Sequence, residues 1–347
     1  RCGLARVTAI ARGNYQAVSE RGVDIRSQRY GTHIGWKPDR LFGSLSDEAL
    51  DRPYSYVVIT TKCIPELQKT SEVLRPLLSA PYANKYPQPT YVLLQNGLNV
   101  EKHLHNASRS VGNGKPNVIS AAVWIGTNML SKSEVEHNDF DRATIGIYRP
   151  DNYNTTHNTP AEEALLSGFA DMLAAGGSTV KVVPEVQRIK FYKNFWNVAY
   201  SSIASLTRYP LPAIYRHPGS NSPMPKPYVD PINGSLIEQH TLPVIRGVLE
   251  ELLAVGRALG FPDTEDGLPS SVIDATINRT RDIHVRADST HKPSMLLDIE
   301  NGKPIEVEVI VGEVVRMARE RNVPIPRIEV LYALLLVIQN QLLQGAR

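Results

Sequence analysis

The feature that most constrains this chain is a change of rhythm along it. In the first half, short β-branched apolar runs alternate with stretches of helical spacing; the second half is helical almost throughout. Arg6–Ala11, Tyr56–Thr61 and Thr90–Leu94 read as buried strands. Helical spacing occupies Ile64–Leu78 and the residues leading to His105. Asn117–Met129, Ser133–His137 and Thr144–Tyr148 form a further strand group. Strand, helix, strand at these spacings predicts a parallel, doubly wound α/β sheet. Pro160–Ala175 and Val186–Leu206 then read as helices, followed by 232–259, 270–286, 294–301, 305–321 and 326–344. The expected division is an α/β domain over 1–184 and an all-helical domain over 185–347, broken near Pro184. Seven prolines fall between Pro210 and Pro231 without periodicity, which suits either an ordered excursion or a mobile loop.

Composition removes whole classes. A chain that is 42% hydrophobic and 21% charged has material for buried cores and is not a disordered polymer. A net charge of +3 is too small to point to nucleic acid. The longest unbroken apolar run, Val330–Ile338, falls short of the ~20 residues that cross a bilayer, so no membrane partner is expected. Two cysteines, Cys2 and Cys63, suit a reducing compartment, and the cytoplasm is the expected location. His103 and His105 have no third ligand nearby in sequence, so no metal is expected.

Four stretches carry candidate chemistry. Arg12 follows the first strand directly. At the end of the second strand of a dinucleotide-binding βαβ unit, an arginine accommodates a 2′-phosphate; a solvated arginine is the alternative. The G-x-G-x-x-G loop that should precede such a strand does not occur, and the expectation is that it and its strand lie upstream of Arg1. Gly112–Gly114 reads as a surface turn instead. In the helix 186–206, Lys193, Asn197 and Ser201 recur every four residues among apolar neighbours, which describes either a desolvated lysine with a lowered pKa or a solvated stripe. Between His291 and Glu308, Ser294 can cap a short helix containing Asp298, and Glu306 precedes a long one. Asn96 lies in a turn at the carboxyl end of a strand, the edge where open α/β sheets bind ligands.

Taken in order, VTAIAR at 7–12, VITTK at 58–62, QNG at 95–97, KNFWN at 193–197 and KPSMLLDIENGKPIEVEVIVGEVVRMARERNVPIP at 292–326 resemble the ketopantoate reductase family over nearly the whole chain. The resemblance implies a Rossmann-like N-terminal domain, a helical C-terminal domain and NADPH-dependent reduction of a small 2-oxo acid, foremost 2-dehydropantoate. It makes Lys193 the general acid. It sets Glu306, Asn197, Ser201 and Ser294 at the substrate, and Asn96 beside both substrate and nicotinamide. Arg12, Lys62 and Glu306 face the NADP(H) cofactor, and Asp298 stands behind them. A homodimer is admitted. One departure concerns Ser201, where the family often has a second asparagine; it raises the alternative of another 2-oxo acid. The absent glycine loop raises a second alternative, a non-catalytic NADP(H)-binding sensor.

Overall fold

The computed structural model describes residues 3–111, 116–218 and 225–345; Cys2 and the turn expected at Gly112–Gly114 lie outside them. Among the described residues are the strands β1 (Thr8–Ile10), β2 (Val23–Ser27), β3 (Gly31–Trp36), β4 (Arg40–Phe42), β5 (Tyr56–Ile59), β6 (Thr90–Leu93), β7 (Val118–Ser131), β8 (Glu134–Ile147) and β9 (Thr179–Val182). β1 and β4 pair in parallel as a separate small sheet. The other seven form one sheet in the order β3-β2-β8-β7-β6-β5, with β9 also on β8.

This sheet is mixed rather than the expected all-parallel one. β5, β6 and β7 run parallel, but β7 and β8 form a long antiparallel hairpin. The sequence reading carries β7 as far as Met129 but breaks β8 into Ser133–His137 and Thr144–Tyr148, because Asp139, Phe140 and Arg142 between those pieces are exposed and the apolar pattern stops while the strand continues. The core lies where Val92, Ile119, Ala121, Ala143 and Ile145 of the sheet meet Leu166 and Phe169.

The helices of this half are α1 (Tyr15–Arg21), α2 (Thr70–Val73), α3 (Arg75–Leu78), α4 (Tyr82–Lys85), α5 (Lys102–Arg109) and α6 (Pro160–Ala175). α6 begins where expected: Thr159 Oγ1 accepts from the Glu162 N–H, and Glu162 accepts from the Thr159 N–H at 2.8 Å. The single helix expected over Ile64–Leu78 is replaced by the short α2 and α3. Pro76 lacks a backbone donor in the interior of the expected helix, which breaks the helical ladder there and starts α3.

The second half contains α7 (Gln187–Trp196), a π-helical turn (Asn197–Ser201), α8 (Ser202–Thr207), α9 (Pro212–Tyr215), α10 (Gly234–Leu236), a second π-turn (Ile237–Thr241), α11 (Leu242–Ala258), α12 (Val272–His284), α13 (Ser294–Glu300), a third π-turn (Glu308–Gly312), α14 (Glu313–Glu320) and α15 (Pro326–Gly345). The chain forms two compact units. One is Arg1–Thr61, Gln68–Gln95 and Val100–Val186; the other is Lys62–Leu67, Asn96–Asn99 and Gln187–Arg347. Two short segments from the N-terminal half therefore belong with the helices.

The apolar run Val330–Ile338 sits inside α15, which is long and apolar enough to cross a bilayer by length and composition. Counting only unbroken runs missed this. α15 packs along α8 and α11, and it buries Ile328, Leu331, Leu335 and Gln339. Among the described residues of the proline-rich excursion, Arg216 is only 1% exposed. Its guanidinium donates to the carbonyls of Pro225 (3.0 Å), Arg286 (2.8 Å) and Ser289 (2.6 Å). Its charge is thus met by peptide dipoles rather than by a carboxylate.

Candidate functional site

Most of the residues singled out from sequence lie in the helical unit. Lys193 stands in the last turn of α7, a helix whose Phe191, Asn194 and Phe195 are buried. Its Nζ donates to Asn96 Oδ1 at 2.6 Å. Asn96 reaches this position because the segment Asn96–Asn99 docks on the third π-turn, where the Leu98 N–H donates to the Val309 carbonyl at 2.7 Å. Gly97 makes that docking feasible. Its φ is +92°, and a Cβ there would stand 2.6 Å from a Val309 methyl. Asn194 braces the same π-turn from α7, its Nδ2 donating to the Ile310 carbonyl at 2.7 Å.

The electrostatics follow from burial. Enclosure by protein and, to a lesser degree, the positive charge of Lys190 lower the Lys193 pKa to about 8, against the opposing pull of the Glu306 carboxylate. Glu306 is 7% exposed and accepts from the Cys63 N–H at 2.9 Å. Burial raises its pKa, while that N–H and the charges of Lys62 and Lys193 restrain the rise. Asp298, in α13, pairs with Lys62. Burial pushes its carboxyl up and Lys62 pulls it back. Two carboxylates and two lysines are therefore coupled, none with a full hydration shell except the half-exposed Lys62.

Asn197 opens the first π-turn and Ser201 closes it, with Ser201 Oγ 3.5 Å from Asn197 Oδ1. The wider turn changes the register expected for a regular helix, and Ser201 is 1% exposed. Ser294 is exposed and occupies the first helical position of α13 rather than its cap; Pro293 holds the cap position and no side-chain capping bond forms. α13 packs against the first π-turn and α8. Arg12 is exposed immediately after β1 in the α/β unit.

Sequence reasoning placed Gln95 in the turn with Asn96 without giving it a role, and passed over Asn194 and the Cys63 backbone. Gln95 lies two residues past β6, is 5% exposed and donates to the Thr61 carbonyl at 2.8 Å, yet its buried Oε1 has no hydrogen-bond partner. An orphaned acceptor at the carboxyl end of a parallel strand fits a ligand hydroxyl or amide. The sequence signal was present, since a glutamine just past an apolar strand calls for a partner. Among the described residues, no group of three His, Cys, Asp or Glu side chains is placed to hold a metal.

Residues 3–150 match the family described as "Ketopantoate reductase PanE/ApbA", and residues 228–339 match its C-terminal counterpart, "Ketopantoate reductase PanE/ApbA C terminal". The uncharacterized protein YDL144C of Saccharomyces cerevisiae is 25% identical over 97% of this chain and 87% of its own length. The crystal structure of 2-dehydropantoate 2-reductase from Methylococcus capsulatus superposes with a TM-score of 0.70 at 22% identity, covering 97% of this chain and 90% of that one. A ternary structure of D-mandelate dehydrogenase with NADH and anilino(oxo)acetate superposes with a TM-score of 0.68 at 14% identity, covering 95% and 88%. At these identities the structural likenesses establish the fold.

Proposed function

We propose that this chain, which belongs to the PanE/ApbA ketopantoate reductase family, reduces a 2-oxo acid at the expense of NADPH, with Lys193 as the general acid. The observation that carries the reading is the enclosed Lys193 ammonium, held by Asn96 and opposed by Glu306, with a pKa of about 8. A proton donor works best when its pKa lies near the working pH. Bound NADPH would supply the hydride. As negative charge grows on the substrate carbonyl oxygen, the Lys193 ammonium stabilises it and then releases its proton there. Glu306 keeps the amine protonated, and Asn197 and Ser294 orient the acid so that no ordering remains at the moment of reaction. Arg12 after β1 favours the 2′-phosphorylated cofactor over NADH.

The family name makes 2-dehydropantoate the first acid to assay. A second reading, a bulkier 2-oxo acid, is favoured by Ser201, whose short side chain stands where the family often has an amide. The test is consumption of NADPH and NADH by purified protein across a panel of 2-oxo acids, with Lys193→Ala beside the wild type. Turnover by the wild type that disappears in Lys193→Ala supports the reading. Wild-type turnover in the variant overturns the assignment of the acid. Thermal protection by NADPH with no consumption of any acid indicates a sensor.

A further inference from the structure

α15 buries one face through Ile328, Leu331 and Leu335, and the next residue in that register is Gln339, 2% exposed. An amide on a buried apolar face is destabilising unless it is hydrogen-bonded, so its partners show what it is for. Gln339 Oε1 accepts from the Ile305 N–H at 2.8 Å. Its Nε2 donates to the Ile305 carbonyl at 2.9 Å and to Glu66 Oε1 at 2.9 Å. One side chain thus satisfies both peptide groups of a fully buried residue, as a paired strand would. A leucine or methionine would fill the space and bond neither group.

Ile305 is the residue before Glu306. Both lie outside any helix, so the Glu306 side chain is aimed by whatever holds the backbone there. The Ile305 carbonyl belongs to the peptide plane that leads into Glu306, and clamping it fixes that plane. On the other side, the Glu306 carbonyl accepts from the Ile310 N–H at 3.1 Å. The amide also reaches the second support of this carboxylate. Glu66 lies in the segment Lys62–Leu67, whose Cys63 N–H donates to Glu306 Oε1 at 2.9 Å. The charged groups that act on Glu306 are Lys62, Asp298 and Lys193; those that act on Lys193 are Lys190 and Glu306. Glu66, bonded to Gln339, feels Glu308 and Arg316.

We propose that Gln339 is a positioning residue for the reduction: its two-way clamp on Ile305, anchored on Glu66, holds the Glu306 carboxylate where it keeps the Lys193 amine protonated. The inference rests on the reductase reading and deepens it by extending the site's support into α15.

The test is a double-mutant cycle of Gln339→Met with Glu306→Gln. It is read in the pH dependence of kcat with 2-dehydropantoate, or with whichever acid of the panel is reduced. It is read again without turnover, by titrating the Lys193 Cε signal in protein labelled with carbon-13 lysine. Gln339→Met is expected to lower kcat about tenfold or more, since small misplacements at a reacting centre are costly. With Glu306 held less well, the ammonium loses support, so the alkaline fall and the Lys193 titration both move to lower pH by about half a unit. In the Glu306→Gln background, Gln339→Met moves them no further. Gln339→Asn keeps the amide but withdraws it by one methylene; it gives a smaller shift in the same direction and replaces Gln339→Met in the cycle if that variant does not fold. An unmoved profile overturns the proposal even where thermal stability falls, as does an equal further shift in the Glu306→Gln background. If no acid is reduced, the reductase reading fails alone where Gln339→Met lowers the Lys193 titration only with Glu306 present. Both fail where that titration is unmoved or moves equally in the two backgrounds.

Discussion

Two clusters, one in each unit, handle buried polarity in opposite ways. In the α/β unit, Ser27 Oγ lies 2.7 Å from His137 Nδ1 and accepts from the Tyr30 N–H at 2.8 Å, and His137 Nε2 meets the Phe140 carbonyl at 3.1 Å. Each polar atom there has a neutral partner, and the result is a fastened sheet edge. In the helical unit, Lys193, Glu306 and Asp298 are charged groups whose protonation burial has shifted. Burying charge costs several kcal/mol per ion, so it is poor construction for stability. The contrast teaches that a satisfied neutral network fastens the sheet edge, whereas the shifted charges around Lys193 are where proton chemistry is expected.

The sharpest way to break that contrast is Lys193→Ala. We expect kcat to fall by ~10²–10⁴-fold, with NADPH binding retained by fluorescence titration. A stability loss with unchanged rate would make Lys193 an ordinary structural residue. Arg216→Leu comes next. It removes the donor of the Pro225, Arg286 and Ser289 carbonyls and the buried packing of a 1%-exposed side chain, and we expect destabilisation of about 3 kcal/mol, seen as a lower denaturant midpoint. Gly97→Ala follows, combining a left-handed backbone with a collision at Val309; we expect about 1–3 kcal/mol in thermal unfolding and weakened turnover as Asn96 shifts. The smallest effect belongs to the α/β unit. Ser27→Ala is expected to cost about 1 kcal/mol and leave turnover unchanged.

Much of the site was legible because its residues fall at helical spacing or beside strand ends. Lys193 and Asn197 stand four apart, and Asn96 follows an apolar run that stops at a glycine. What sequence did not reveal were the devices that depend on distant partners. The π-turn at Asn197–Ser201 has no composition of its own, and the docking of Leu98 on Val309 joins residues far apart in the chain. The fold was legible where burial and periodicity coincide, as in α6 and β6. It failed at the middle of β8, where Asp139, Phe140 and Arg142 are exposed, and likewise at β3, where exposure leaves no apolar alternation to read. Pro76 was visible all along and outweighs the helical spacing of its neighbours.

The most direct test of the proton-donor account is the pH dependence of kcat for 2-oxo acid reduction. The ammonium is the active form, so the rate should fall as pH rises through about 8. In Glu306→Gln the loss of the opposing negative charge should move that fall to lower pH. A profile flat through this range in the wild type, or one left in place by Glu306→Gln, would contradict the account.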